Sequence, residues 1–402
     1  MPDTETRVRL KPAEDERIRD GHLWVYDNEI AAVEGSPADG SVVWVEDHRG
    51  RKLGTGFIDL GSVIRVRLLT RGAGRKFGPV DVDSLLARAL GRREFFDVEA
   101  VRLVNSEGDL MPGLVMDRYG ATTVIQPRTP GWMAGEMLSA IVETTRRVIA
   151  PAVVLVRDEG GLRKVEGAPP ALIAVGEEDR DARTVIYDGR LEMEVDFFGG
   201  HKTGYYIDQR ENRRSVLFQV YGKRVLDCFC YTGAWSLACA AGPIGRGSGA
   251  AEVTGVDSSA AALVLARANA ERNGLGDIAA FVEADVFDYL AGAAASREKY
   301  DVVILDPPSL ARTRRQVAGA MRGYIHLNKL AMGLLNPGGI LVTCSCSHHM
   351  TRERFMEMLR HTSTLVRRQV AVLRIGGQPE DHPALLGLPE TDYLKCVTLR
   401  VE

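Results

Sequence analysis

Val225–Ser236, VLDCFCYTGAWS, is the stretch on which the fold turns. A short apolar run ends at an acid, Asp227, and the chain then passes Gly233 into a helix-forming segment, Trp235 to Ala241. A buried strand, a tight turn and a helix start make up the unit from which open α/β sheets are built. The pattern recurs downstream: VTGVDSSAAA ends its strand at Asp257, FVEADVFDYL reaches Asp285, and DVVILDPPS ends at Asp306. Ligands of such a sheet sit beyond the carboxyl ends of its strands, so these four acids are expected to face one crevice.

The ligand follows from that charge. The turn after the first strand reads D-x-F-x-Y-T-G, and Asp227 stands where the pyrophosphate of a dinucleotide needs glycine and open backbone N–H groups. A dehydrogenase reading is thereby disfavoured. A ligand with positive charge, ribose hydroxyls and an amino group suits the acids, and S-adenosylmethionine carries all three, leaving S-adenosyl-L-homocysteine as product. Asp257 is placed to accept from the ribose hydroxyls and Asp285 from an adenine amino group.

At 402 residues the chain is too long for one core. Hydrophobic residues make up 45% and charged residues 26%, the balance of a soluble globular protein, and a net charge of −3 rules out a nucleic-acid-binding polycation. Any RNA contact must come from local basic patches. The polar start MPDTETRVRLKPAEDER is neither a signal nor a transit peptide, and no apolar run approaches the ~18 residues of a membrane span. Six cysteines, four of them in C-x-C pairs, do not form a secreted disulfide framework. A cytoplasmic protein with reduced thiols and no membrane partner is expected; the sequence leaves monomer and homodimer open.

Three parts are expected. Residues 1–76 read mostly as strand, in SVVWVED, KLGTGFID and SVIRVRLLT, after a short helix from Pro12 to Arg19. This suggests a small β-barrel, and the order of GHLWVYDNEI and VIRVRLL resembles the RNA-binding PUA domain. Arg49, Arg51, Lys52, Arg65, Arg67, Arg71, Arg75 and Lys76 cluster late in it, as an RNA contact or as a solvated face. Residues 77–190 read as a central α+β domain, with helices Val82 to Phe96 and Trp132 to Ile149, strands in VRLVNSEGDLMPGLVMDRYG, ATTVIQ and PAVVLVRDE, and a loop in GLRKVEGAPP. TVIYDGRLEMEVDF is a hairpin turning at Asp188-Gly189. Residues 191–402 alternate strand and helix as a mostly parallel, Rossmann-like sheet requires, with Tyr324 to Leu335 helical, NPGG a turn, and a closing strand hairpin with a long loop.

Within the last part, FFGGHKTGYYIDQRENRRSV gathers aromatic, glycine and charged residues ahead of the central motif, and Tyr206, Asp208, Gln209 and Arg210 are candidate cofactor contacts. Phe229, Tyr231, Thr232, Gly233 and Ser236 join them from the first turn, Ser258 and Val286 from beside Asp257 and Asp285, and Pro307 from DPPS. Pro307-Pro308 fixes an extended backbone that turns the chain across the crevice. The pair CFC and CSC raises a metal site. In the usual strand order the fourth strand separates them by ~9–10 Å, whereas a zinc–sulfur bond spans ~2.3 Å, so no metal is expected. Cys239, Cys396, Cys228, Cys230 and Cys344 read as small buried hydrophobes. Cys346 lies just past the fifth strand among Ser345, Ser347, His348 and His349. A thiolate there fits pyrimidine chemistry: added to carbon 6 of cytosine, it makes carbon 5 nucleophilic toward a sulfonium methyl, with Asp306 hydrogen-bonding the base.

With these residues assembled, the chain resembles the class I methyltransferases that make 5-methylcytidine in large-subunit bacterial ribosomal RNA. The resemblance runs over essentially the whole length, through GHLWVYDNEI, LVNSEGDLMPGLVMDRYG, GGHKTGYYIDQRENR, DCFCYTGAWS, LDPPSLA, MRGYIHLN and TCSCSHHM. It implies a PUA domain, a central α+β domain and a Rossmann-like methyltransferase domain. It also implies Cys346 as nucleophile, Asp306 as base-binding acid, and Asp208, Asp227, Asp257 and Asp285 at methionine- and nucleoside-binding positions. One departure is Ser309, where many related RNA cytosine methyltransferases carry a second cysteine that helps release the product. The implied partner is large-subunit ribosomal RNA or its assembly intermediate, contacted by Arg65 and Arg67 and, at the crevice mouth, by Arg312, Arg314, Arg315 and Arg322. The competing readings are methylation of another ribosomal base (guanine) and a non-catalytic assembly factor that keeps the cofactor pocket.

Overall fold

The computed structural model describes residues 6–94, 96, 98–158, 171–175, 183–244, 247–311 and 314–402. The sequence-predicted loop GLRKVEGAPP lies outside them. The chain divides into two compact units, one of Met1–Thr184, Asp196–Tyr205 and Glu380–Thr391, the other of Val185–Val195, Tyr206–Pro379 and Asp392–Glu402. No helix among the described residues is long and apolar enough to cross a membrane.

The first unit holds two sheets. Arg7–Leu10, Trp24–Tyr26, Ile30–Glu34, Val42–Glu46, Lys52–Ile58 and Ile64–Leu68 form a six-stranded sheet in the order second, sixth, fifth, fourth, first, third. Ala100–Asn105, Leu114–Tyr119, Thr122–Pro127, Val153–Asp158 and Ala171–Val175 form a five-stranded sheet in chain order. Phe57, Phe77 and Trp132 pack edge to face, Phe57 and Trp132 with centroids 5.2 Å apart, and weld the two sheets. Helix boundaries differ from the sequence reading for local reasons. The helix expected to reach Phe96 stops at Gly91, because the Arg93 guanidinium turns inward to hold Asp109 with two bonds of 2.7 Å. The helix expected from Trp132 starts at Met137, after a tight turn at Pro130–Trp132 and a left-handed Gly135. The one expected from Pro12 spans only Glu16–Arg19, since Ala13 takes φ +67°.

The second unit is a seven-stranded sheet: β1 (Arg224–Cys228), β2 (Glu252–Asp257), β3 (Ala279–Glu283), β4 (Tyr300–Leu305), β5 (Leu335–Ser345), β6 (Val370–Gly376) and β7 (Lys395–Val401). They lie in the order β3-β2-β1-β4-β5-β7-β6, with β7 antiparallel to both its neighbours and the other pairs parallel. The chain order reverses between β1 and β4, so the crevice for a ligand opens beyond their carboxyl ends. Helices α1 (Arg210–Val216), α2 (Ala234–Ala241), α3 (Ala260–Arg272), α4 (Val286–Ala295), α5 (Val317–Leu334) and α6 (Arg352–Val366) connect the strands. The hairpin Arg183–Tyr187 and Glu192–Asp196 forms as expected and is tied to α3, where the Asn269 and Asn273 side chains accept from the backbone of Glu194 and Glu192.

Burial explains these elements. Leu226, Cys228, Val303, Leu305 and Leu341 sit in one core with Tyr324, Leu327, Ala331 and Met332, which recur at helical spacing along α5. That helix begins at Val317 rather than Tyr324; its first turns carry Gly319 and no capping side chain, which conceals the start in the sequence. NPGG keeps its turn chemistry, with Gly338 at φ +74°, but lies within β5 at an irregularity where Tyr300 pairs with Leu335 and Val302 with Ile340. Leu226 is fully buried in β1. Leu226→Ala is expected to cost roughly 2–5 kcal/mol, read as a lowered urea midpoint; an unchanged midpoint counts against its place in this core.

Candidate active site

The turn after β1 is held in an unusual backbone. Phe229 and Tyr231 take φ of +65° and +50°, and Gly233 takes +83°. For the two side-chain-bearing residues this costs on the order of 1–2 kcal/mol each, offset by bonds that pin the turn to β2. The Phe229 and Cys230 N–H groups donate to the Val256 carbonyl, at 2.8 and 3.1 Å. The Tyr231 N–H donates to the Asp257 carboxylate at 2.9 Å, and Ser259 N–H donates to its other oxygen at 2.9 Å. A Cβ on Gly233 would stand 3.0 Å from the Phe281 ring, so glycine is needed there twice over.

Asp227 is fully buried at the end of β1. One carboxylate oxygen accepts from Ser236 Oγ at 2.6 Å, and the other has no hydrogen-bond partner. Burial, with Asp306 and Asp257 nearby, pushes its pKa up to about 7 against the pull of the Ser236 bond. A half-satisfied buried carboxyl facing two further acids is a receptor for a cationic group.

The segment before α1 supplies the second wall. Asp208 accepts from the Tyr393 hydroxyl at 2.7 Å. Gln209 receives the Asn212 amide at 2.7 Å and itself donates to Asp306 at 2.9 Å. Trp235 Nε1–H, from α2, donates to the other Asp306 oxygen at 3.1 Å. The carboxylate of Asp306, one residue past β4, is thus aimed by two neutral donors and keeps its acceptor character. Tyr206 packs edge to face on Tyr231, centroids 5.5 Å apart. Burial raises the Tyr206 pKa, helped by the charges of Asp306, Asp208 and Cys346, which puts Cys346 within electrostatic reach of the same wall.

Cys346 follows β5 directly. Of the six cysteines, Cys346 alone is not buried. Burial pushes the thiols of Cys228, Cys230, Cys239 and Cys344 upward, so they stay protonated. Ser345 Oγ meets the Tyr324 hydroxyl at 2.9 Å and Ser347 Oγ donates to the Ala311 carbonyl at 2.8 Å, fixing the backbone on either side of Cys346. Ser309 donates to the Ala311 carbonyl at 3.1 Å. No group of three His, Cys, Asp or Glu side chains suited to a metal occurs among the described residues.

The other candidates fall as follows. Thr232, Val286, Pro307 and Arg210 are buried, Arg210 near Glu211, and Ser258 is exposed beside Asp257. Asp285 departs from the expected strand end: β3 stops at Glu283, and Asp285 is an exposed cap whose Oδ1 accepts from Phe287 and Asp288 at the start of α4. In the first unit Arg65 binds Asp27 at 2.8 Å, and Arg67, with a side chain only 15% exposed, lies 3.7 Å from Asp59. Both guanidiniums are therefore already engaged. Arg312 and the side chain of Arg314 lie outside the described residues; Arg315 and Arg322 are exposed. The sequence reading missed Trp235 and Tyr393 as site residues. Trp235 had a signal, being the only large polar-edged side chain at the start of the central helix, whereas Tyr393 arrives from the far end of the chain.

The residues fit a sulfonium nucleoside. The open Asp227 oxygen suits its amino group, Asp257 its ribose, and the turn from Phe229 to Gly233 brings backbone close. An open α/β sheet with this acid-lined switch point defines an S-adenosylmethionine-dependent methyltransferase. Residues 174–380 match the S-adenosylmethionine-dependent methyltransferase family, and residues 8–71 match the PUA-like domain. The chain is 37% identical over 399 residues to ribosomal RNA large subunit methyltransferase I of Photobacterium profundum, covering 97% of this chain and 98% of that one. It is 34% identical over 401 residues to the protein of that name from Klebsiella pneumoniae (strain 342), covering 98% of each. This chain belongs to the family of ribosomal RNA large subunit methyltransferase I. The same fold occurs in a protein described as a SAM-dependent methyltransferase from Streptococcus mutans, with TM-score 0.83, 21% identity and coverage of 98% of this chain and 100% of that one. It occurs also in a methyltransferase solved with SAH, with TM-score 0.84, 22% identity and the same coverage.

Asp227 makes stability depend on pH. An ordinary aspartate titrates near 3.8 and this one near 7, so between those values the folded chain holds a proton that the unfolded chain has lost. Its stabilising contribution is present below the lower value and is lost as pH rises through the higher one. Without ligand, Asp227→Asn is expected to lose this slope and to exceed the parent in stability at pH 8, by urea unfolding. A slope unchanged by the substitution removes Asp227 as its source.

Proposed function

We propose that this protein methylates carbon 5 of a cytidine in large-subunit ribosomal RNA, with Cys346 as nucleophile. The observation that carries the reading is the contrast among the thiols: five are buried in the sheet, its helices and the turn after β1, and the sixth, Cys346, is accessible at the carboxyl end of β5. The relatives' shared name supports ribosomal RNA as substrate, and a PUA-like domain suits an RNA partner.

S-adenosylmethionine supplies the electrophilic methyl group when bound. Asp227 would receive the donor's amino group and Asp257 its ribose, with Asp208, held by Tyr393, and Tyr206 on the opposite wall of the pocket. The target base leaves any stack to enter the crevice. Cys346 loses its Sγ proton and adds to carbon 6, the ring's 5,6 electron pair becoming available at carbon 5. The ring nitrogen takes up a proton from solvent as the adduct forms, and Asp306, aimed by Gln209 and Trp235, accepts from that N–H and from the exocyclic amine, stabilising the adduct. Carbon 5 would accept the donor's methyl, the thioether S-adenosyl-L-homocysteine leaving; loss of the carbon 5 proton to solvent then returns the electron pair to the 5,6 bond and expels Cys346 as thiolate, and the ring nitrogen gives back its proton. The reaction needs a reduced thiol, in keeping with work in the cytoplasm.

RNA phosphates meet the crevice rim at Arg315 and Arg322. Arg315 and Arg354 line an open groove between the start of α5 and α6, together with Val317, Met321 and Glu357. The double change Arg315→Ala and Arg322→Ala is expected to weaken RNA binding. It should also reduce the slope of log affinity against log salt by about 0.7–0.9 for each phosphate that is no longer neutralised. A binding curve and salt slope equal to the parent's place the RNA elsewhere.

The reading of Cys346 is tested with RNA carrying 5-fluorocytidine, whose carbon 5 cannot release a proton after methylation. The parent is expected to form a denaturant-resistant adduct with it in the presence of S-adenosylmethionine, mapped by mass spectrometry to Cys346. Cys346→Ser is expected to form none and to lose methyl transfer to cytidine by at least about 10²-fold. Retained turnover in Cys346→Ser ends the cytosine reading.

A further inference from the structure

Lys395 is the first residue of β7 and pairs directly with Ser345 of β5. It is 1% exposed. Its Nζ donates to two carbonyl oxygens, that of Ser347 at 2.7 Å and that of Tyr393 at 2.6 Å. Both acceptors are neutral, and among the described residues no carboxylate forms an ion pair with it. Burying a cation without a counter-ion is costly, and chains seldom retain one where packing alone is at stake. Burial lowers the Lys395 pKa to about 8, which leaves it mostly protonated at neutral pH. Asp392, the largest influence in the other direction, is about half exposed and is engaged by Arg352 at 3.2 Å.

The remaining acidic group whose charge reaches Lys395 is Cys346. It lies between Ser345, the cross-strand partner of this lysine, and Ser347, whose carbonyl accepts a hydrogen bond from the lysine. Tyr206 from before α1 and Tyr324 from α5 bear on the sulfur, the charge of Asp306 reaches both phenols, and burial keeps both protonated. His348 follows in the chain, its ring 5.8 Å from that of Tyr393. Arg352 bears on Lys395, but its guanidinium is bound to the Gly376 carbonyl and Asp392.

We propose that Lys395 is a positioning residue for Cys346: its ammonium pins the turn that carries the thiol and stabilises the sulfur as a thiolate. This rests on the nucleophile reading above. The Cys346 proton passes to solvent before attack, Lys395 keeps all three of its own, and the expelled thiolate returns to the same field at the end of the cycle. No oxidant or further reactant enters.

The test is the pH profile of Cys346 alkylation by iodoacetamide in the full chain, without RNA or methyl donor, read by mass spectrometry of the Cys346 peptide. The parent is expected to titrate below the ~8.5 of a free thiol. Lys395→Met is expected to move the midpoint up by about one unit or more, close to a tenfold slower reaction at pH 7. Lys395→Arg keeps the charge and is expected to restore most of the parent profile. A parent midpoint at or above that of a free thiol overturns the proposal, whether or not the methionine variant folds, and so does a Lys395→Met profile that matches the parent. Alkylation reads the charge on sulfur independently of RNA. A lowered midpoint with no 5-fluorocytidine adduct thus sinks the nucleophile reading and leaves the lysine–thiolate pair standing, and an adduct without a lowered midpoint does the reverse.

Discussion

The site depends on a carboxyl group that the sheet buries and does not satisfy. Asp227 ends the central strand with one oxygen on Ser236 and the other open, and two more acids stand close enough to raise its pKa. Hydrophobic residues surround it: Val225, Leu226 and Cys228 of the same strand are fully buried. Strand order then does the rest. With β1 flanked by β2 and β4, the acids Asp257 and Asp306 reach the same edge by topology, without any motif linking them in sequence. The strained turn from Phe229 to Gly233 is the local consequence, bent back so that its N–H groups meet Val256 and Asp257 and its outer face stays open to a ligand.

Much of this was legible in the chain because strand, turn and helix signals there are short range. An apolar run closed by an acid marks a buried strand wherever it occurs, so β1, β2 and β4 could be read with their acids in place. The fourth instance shows the limit. EADVFD looks like another strand closed by an acid, yet its Asp285 serves as an N-cap, since the same aspartate that ends a strand also starts a helix well. Helix starts without caps, as at Val317, and turns buried inside strands, as at NPGG, were concealed for the same reason: their local chemistry is ambiguous until packing resolves it.

The last strand was the part least open to sequence reasoning. A closing hairpin could be expected, but not that β7 would insert between β5 and β6 and run against both. That insertion carries Tyr393 to Asp208 and Lys395 to the backbone after Cys346, across separations of 185 and 48 residues. Long-range pairing of this kind leaves little trace in periodicity. What trace there is lies in YLKCVTLRV, where a lysine opens a mostly apolar strand and is buried; a buried charge in such a place asks for a chemical reason.

Asp227 and Lys395 then stand as opposites. Each is a buried ionisable group at the carboxyl edge of the sheet, and among the described residues neither has a counter-ion. Each has its pKa moved by burial toward neutrality, the acid up to about 7 and the base down to about 8. A fold selected only for stability would replace both with apolar side chains of similar volume, which is often neutral or favourable. Their retention makes sense if the missing partners arrive with the reaction: a cationic methyl donor for the acid, a thiolate for the base. The ligand-free protein is then least well satisfied at the two points where bond making is required, and the binding of donor and the ionisation of Cys346 relieve in turn what folding left unpaired.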